Sequence, residues 1–176
     1  MQYAVLLYFD EKSKNDIKNR ISKIDVENYD IGLPPHITLF SWFSESADNY
    51  IEQIKVFASS RTKIKMTLSS FGVFNTMGKY LFLSPVRSDD FSLLHNDLID
   101  SIKLSANDTY EELYVNNDKW VPHCTIGYRL TNQSLPVFLS QAIECFELPM
   151  AVLGSKLAIC TIEPLNVIET FELLGK

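Results

Sequence analysis

Two short runs of this chain match one another, and each opens on a residue that obstructs helix. Pro35-His36-Ile37-Thr38-Leu39 returns as Pro122-His123-Cys124-Thr125-Ile126: proline, histidine, a variable residue, threonine, an aliphatic residue. Pro34-Pro35 blocks helix, and the residues after it (Ile37, Thr38, Leu39, Phe40, Trp42, Phe43) favour strand. The second run reads the same way, as part of a strand from 121 to 130. Of the three histidines in the chain, two lie in the repeat.

The rest of the chain falls into place around these strands. Residues 1–9 are apolar and short, as in a buried strand. Asp10 is placed to cap a helix over 11–24 with Ile17, Ile21 and Ile24 on one face. A polar stretch, 25–34, leads into the first motif. A helix follows over 46–59 with Ile51, Ile54 and Phe57 or Ala58 inward. Residues 63–74 alternate like a half-buried strand, Asn75-Thr76-Met77-Gly78 reads as a hairpin turn, and 79–86 as the return strand. A helix is predicted from Ser88 or Asp89 to 106, then a long polar loop over 107–119. After the second motif come a helix over 134–146 and two strands, 150–161 and 166–173. Each motif strand is thus followed by a helix and two strands, which suggests internal duplication. No Gly/Ser-rich or charged linker separates the halves, so 1–176 is expected to be one domain of two interlocked lobes.

Composition fits an ordinary globular protein: 176 residues, 46% hydrophobic, 22% charged. The net charge of −6 argues against general attraction to long duplexes but suits a small anion in a local pocket. The three cysteines form no CxxC pair, so free thiols in a reducing compartment are expected. No stretch is long and apolar enough to span a membrane, and no basic leader precedes the apolar start. The chain is therefore read as cytoplasmic, with no obligate protein partner indicated.

On a strand, side chains at i and i+2 point the same way, roughly 6 to 7 Å apart. His36 and Thr38 therefore share a face, as do His123 and Thr125, while Ile37, Leu39, Cys124 and Ile126 point to a core. If the duplicated strands meet, two His–Thr pairs converge. Such a site suits a phosphodiester: one histidine as base, the other as acid, and threonine hydroxyls donating to the non-bridging oxygens. This arrangement asks for no metal and no cofactor.

On PHITL (Pro35–Leu39) and PHCTI (Pro122–Ile126), the chain resembles the two-histidine phosphoesterase superfamily, which includes RNA 2',3'-cyclic phosphodiesterases and 2'-5' RNA ligase-like proteins. The resemblance implies a bilobal α+β fold, with two antiparallel sheets forming a V-shaped cleft, helices on the outer faces and the HxT strands at the centre. It implies a metal-independent phosphodiesterase acting on 2',3'-cyclic or 2',5'-linked nucleotides or RNA ends, with 2'-5' ligation as the reverse reaction. The catalytic set it implies is His36, Thr38, His123 and Thr125. His36 is favoured as the acid and His123 as the base, and the pseudo-symmetry leaves the reverse open. Two other readings stand beside it: a nucleotide- or RNA-binding protein without turnover, and a cyclic phosphoesterase of a small metabolite.

If the strand stays regular, Arg129 shares the face of His123 and Thr125 and is placed to meet a phosphate; a solvated strand end is the other reading. Gly127 between them leaves space for a ligand, or marks a bulge. Phe40 and Trp42 share parity with His36 and are candidates to stack on a base, with core packing the commoner use of such residues. Tyr110, Tyr114 and Trp120 in or beside the polar loop suit either a lid over substrate or a plain surface loop. Arg61, Lys63 and Lys65 alternate on an exposed strand face, and His95 has no partner at motif spacing.

Overall fold

The computed structural model of the chain describes residues 1–26, 32–76 and 78–175. In order the elements are β1 (Gln2–Phe9), α1 (Glu11–Ile21), β2 (His36–Phe43), α2 (Asp48–Ser59), β3 (Ile64–Phe74), β4 (Lys79–Pro85), α3 (Asp89–Ser101), β5 (Thr109–Tyr110), α4 (Glu112–Val115), β6 (Cys124–Leu130), α5 (Ser134–Cys145), β7 (Met150–Thr161) and β8 (Asn166–Glu172). The Asn75–Gly78 turn includes Met77, and the polar stretch ahead of the first motif includes residues 27–31. Both lie partly outside the described residues.

Local chemistry accounts for several boundaries. Asp10 caps α1 as its position predicts, accepting from the Ser13 amide at 2.9 Å. Helix α3 stops at Ser101, short of the predicted 106, because α2 captures the next amides. Gln53 Oε1 accepts from the Lys103 amide at 2.8 Å and the Tyr50 hydroxyl from the Ser105 amide at 3.1 Å. Ile102 stays in the core although it has left the helix. The polar loop holds two short elements, β5 and α4. The first exists by pairing Tyr110 with Trp42 and Thr109 with Phe43.

All ladders are antiparallel and run β5-β2-β1-β7-β3-β4-β6, with β8 also on β7. The strands form one eight-stranded hydrogen-bonded sheet rather than the two expected, because β7 is shared. One edge of β7 pairs with β1 along Gly154–Thr161. Its other edge takes β3 along Met150–Gly154 and then β8 along Lys156–Thr161. Outward from the β7–β3 pair the order is mirrored, β7-β1-β2 on one side and β3-β4-β6 on the other. The two motif strands hold equivalent places, as a duplication requires. Strand β3 follows α2 yet joins β4, and β7 follows α5 yet joins β1, so each half lends a strand to the other.

One face of the sheet carries the main core, where Val5, Leu7, Ile37, Leu39, Leu81, Leu83 and Cys124 meet Ile17, Ile54, Phe91, Leu98 and Phe138 from the helices. The opposite face carries a small buried cluster of Ala4, Leu6, Tyr8, Ala158 and Cys160. His36 pairs with Tyr8 and Thr38 with Leu6, which puts both motif side chains on this second face. Among the described residues no helix is long and apolar enough to cross a membrane.

Candidate active site

The sheet path separates β2 from β6 by four strands, yet the two touch. At the crossing, the main-chain amide of His36 lies against the Cys124 sulfur. Burial pushes that thiol up to about 12, which leaves it an inert core group. A charge on His123 is felt at His36 and disfavours a second charge there. The two motifs therefore share one site.

Both rings are anchored alike. Nδ1 of His36 lies 2.8 Å from the Pro34 carbonyl, and Nδ1 of His123 lies 2.7 Å from the Val121 carbonyl. A carbonyl only accepts, so Nδ1 of each ring carries the proton and Nε2 of the neutral ring is left as the basic atom. Pro122 and His123 precede the β6 ladder rather than joining it, as a proline without an amide requires. Burial lowers both histidines: His36 from 6.5 to about 4, with the Pro34 bond opposing and His123 adding, and His123 in the same direction with the Val121 bond opposing.

The shells around the two rings differ. Tyr8 meets His36 edge-on, ring centroids 6.2 Å apart. Its phenol is pushed up to about 12 by burial, with Cys160 adding, and has no hydrogen-bond partner among the described residues. His123 sits against Phe74 at 4.7 Å and Phe82 at 5.3 Å between ring centroids. On the first motif, the Tyr114 phenol from α4 is within hydrogen-bond reach of Thr38. Burial raises it to about 12, with Glu111 adding to the shift and Thr38 opposing it. The Trp120 indole donates to the Thr38 carbonyl at 3.3 Å.

Several expectations from strand parity need correction. The β1–β2 register runs Leu6↔Thr38 and then Val5↔Phe40, so Leu39 is an extra, bulged residue. The bulge reverses the alternation. Phe40 and Trp42 turn into the main core and are fully buried, away from the face of His36, and Ser41 takes the outward place. In β6 the register runs Phe82↔Thr125 and Leu81↔Gly127, which bulges Ile126. Gly127 therefore faces the core, where a Cβ would come 2.8 Å from Leu130 Cδ1 and 3.1 Å from Phe138 Cε1. Its missing side chain makes room for packing rather than for a ligand. Arg129 does not follow Thr125 in regular alternation: it is left-handed, φ 54°, within a further bulge. Tyr128 takes the next outward position and meets Tyr80, with ring centroids 4.7 Å apart.

Trp120 is not a lid residue. It is buried, and its ring stacks on that of His95 at 3.5 Å. His95 is itself fully buried, and burial lowers its pKa. Arg61, Lys63 and Lys65 lie at the far end of β3 from Phe74. There they line a cavity of about 370 Å³ with Asp90 and Asp97, and Arg61 is ion-paired to Asp97 at 2.8 Å. The aromatic neighbours of the histidines (Tyr8, Phe74, Phe82) escape a reading of the motifs alone. The nearest signal is Phe74, which closes the predicted strand before the hairpin. Among the described residues no group of three or more His, Cys, Asp or Glu side chains gathers to hold a metal ion.

Comparison with known proteins bears on the family and the fold. The model of the 2'-5' RNA ligase superfamily matches residues 14–163. No curated protein sequence matches the chain. Among solved structures, TT0787 of Thermus thermophilus is similar at 15% identity and TM-score 0.59, with both chains fully covered. E. coli LigT complexed with 3'-AMP is similar at 12% identity and TM-score 0.58, covering 98% of this chain and 97% of its own. Kluyveromyces marxianus Usb1 with uridine monophosphate is similar at 11% identity and TM-score 0.54, covering 98% of this chain and 97% of its own. These three likenesses speak to the fold, and the family match covers most of the chain: the protein belongs to the 2'-5' RNA ligase superfamily.

Proposed function

We propose that the protein is a phosphodiesterase that opens 2',3'-cyclic phosphates or 2',5' linkages at nucleotide or RNA ends, using His36 and His123 as acid and base. The observation that carries this reading is the matched anchoring of the two rings. Each holds its Nδ1 proton on the carbonyl two residues back, and each keeps Nε2 for the substrate. A binding protein has no need of two imidazoles in the same tautomer within reach of each other's charge. The superfamily supports phosphoester chemistry on RNA, and the 3'-AMP and uridine monophosphate complexes of LigT and Usb1 support a nucleotide ligand.

In the free protein burial favours the neutral form of both histidines. A phosphodiester brings a negative charge between them, which favours one protonated ring beside one neutral ring. The neutral Nε2 takes a proton from water, whose oxygen attacks phosphorus. The bond from phosphorus to the leaving ribose oxygen breaks, and that oxygen takes the proton from the other Nε2. The Thr38 and Thr125 hydroxyls donate to the non-bridging oxygens, where charge builds in the transition state. The pseudo-symmetry lets either histidine act as the acid, depending on which ribose oxygen leaves.

The test is turnover of 2',3'-cyclic nucleotides and 2',5'-linked dinucleotides, with the products separated by regiochemistry. Hydrolysis to a single phosphate isomer is expected. Tight nucleotide binding without hydrolysis would favour a binding protein instead.

A further inference from the structure

The first motif is fastened from outside by the segment that leads into the second. Strand β5 pairs with β2 only at Trp42 and Phe43, so no described strand covers that edge at Thr38. Residues 111–120 lie there instead, held to β2 at both ends. At one end the Glu111 amide donates to the Ser41 carbonyl at 3.0 Å. Gln2 secures this end, its side-chain amide donating to Glu111 Oε2 at 2.7 Å and to Ser41 Oγ at 3.1 Å. At the other end the Trp120 indole donates to the Thr38 carbonyl at 3.3 Å. Only Val121 and Pro122 then separate Trp120 from His123.

Helix α4 stands between these two anchors. Its Glu112 and Leu113 are exposed, while Tyr114 is half-buried and packs against the main core. The Tyr114 phenol is the side-chain partner of the Thr38 hydroxyl. Burial pushes the phenol up to about 12, with Glu111 adding and Thr38 opposing, so it keeps its proton through the neutral range and can donate. A threonine hydroxyl carries one proton and can give it to one acceptor at a time. A donor behind the oxygen settles which way that proton points and strengthens the bond it makes. Thr125 is placed differently: its partner across the ladder is Phe82, a ring without a hydroxyl.

We propose that Tyr114 is a positioning residue for the reaction: its phenol donates to Thr38 Oγ1 and so turns the Thr38 proton towards a non-bridging oxygen of the bound phosphodiester. This rests on the phosphodiesterase reading above and deepens it by making the two His–Thr pairs unequal. Tyr114 acts through Thr38 alone and exchanges no proton with the substrate. The segment that leads into the second motif thereby sets the donor of the first.

The test is a pair of double-variant cycles read by steady-state kinetics on 2',3'-cyclic nucleotides and 2',5'-linked dinucleotides. Tyr114→Phe keeps the ring and its packing and removes the hydroxyl. It is expected to lower kcat about tenfold with KM unchanged, less than the loss of a direct donor, because the bond it supports strengthens in the transition state. In a Thr38→Val background the same change should cost nothing further, since no hydroxyl is left to turn. In a Thr125→Val background it should cost the full tenfold. A purely structural role would lower activity alike in both backgrounds. The cycle is repeated without turnover, in the affinity for inorganic phosphate, whose dianion carries the charge that a diester gains only in the transition state. Tyr114→Phe is expected to weaken that affinity about two- to tenfold, the net worth of one hydrogen bond, and only where Thr38 is present. Wild-type kcat in Tyr114→Phe, or losses that simply add in the Thr38→Val background, would overturn the positioning role and leave the reaction standing. Coupling in phosphate affinity without turnover of either substrate class rejects the reaction alone, and neither turnover nor coupling rejects both.

Discussion

Gly72 leaves the space that the ring of Phe82 occupies: a Cβ at position 72 would fall 2.3 Å from Phe82 Cζ. The two residues pair across β3 and β4, and Phe82 is one of the two aromatic walls against His123. Gly72→Ala forces the ring to move, and overpacking of this kind costs about 1–3 kcal/mol. Displacement of Phe82 also frees the His123 ring on one side. The variant is expected to fold with a lowered melting temperature and to lose about tenfold in kcat/KM, since small misplacements of a reacting group are costly. Steady-state kinetics beside a thermal melt checks it. Wild-type kinetics in a folded variant would mean that Phe82 does not position His123.

The histidines tie stability to pH. Burial takes His36 from 6.5 in the unfolded chain to about 4 in the folded one. Between those values the unfolded chain binds a proton that the folded chain does not, so unfolding gains as pH falls through that window. Melting temperature is expected to decline from pH 6.5 towards pH 4. His36→Gln, which cannot titrate, should show a shallower decline, with His123 contributing the remainder in the same direction. Melts of both proteins across that range decide it, and identical slopes would show that His36 is not the source.

Much of this architecture can be read in the chain because periodicity and caps are local. The Asp10 cap, the alternation of β3, the strand β1 buried on both faces and the shared face of His36 and Thr38 depend on neighbours a few residues away. What cannot be read depends on cross-strand register. The bulges at Leu39 and Ile126 exist only relative to Val5–Leu6 and Leu81–Phe82, and each reverses the parity of everything beyond it. Of the two uses open to Phe40 and Trp42, the bulge thus selects core packing over base stacking, and Tyr128 takes the place expected of Arg129. Strand β5 is two residues long and has no period to detect, and it forms because Trp42 and Phe43 offer an edge. The end of α3 is decided by Gln53 and Tyr50, far away in sequence.

We propose that the chain unfolds as one unit, because β7 belongs to both halves of the sheet. Gly154 marks the handover: it pairs with Ile64 of β3 on one edge and with Phe9 of β1 on the other. A Cβ there would meet Ile64 Cγ2 at 2.9 Å and Leu7 Cδ2 at 3.0 Å. Gly154→Ala is expected to lower stability by about 1–3 kcal/mol while keeping a single transition, with fluorescence and circular dichroism coinciding. Two separated transitions would show that the halves are independent.

On the proposed mechanism the threonines serve charge stabilisation rather than packing. Thr38→Val and Thr125→Val keep the branched shape and remove the hydroxyl. Each is expected to reduce kcat by about 10²-fold, the loss typical of one donor to a developing oxyanion, with little change in melting temperature. A large loss of stability without a specific loss of rate would assign them to the fold instead.

The most direct measurement is hydrolysis of a 2',3'-cyclic nucleotide panel in EDTA by the wild-type chain, His36→Ala, His123→Ala and the double variant. Wild-type activity is expected to survive chelation, and each single variant to lose about 10²–10⁴-fold. The double variant should fall little further, because the two rings act as one unit. Activity that disappears on chelation, or that persists undiminished in either single variant, would contradict the two-histidine mechanism.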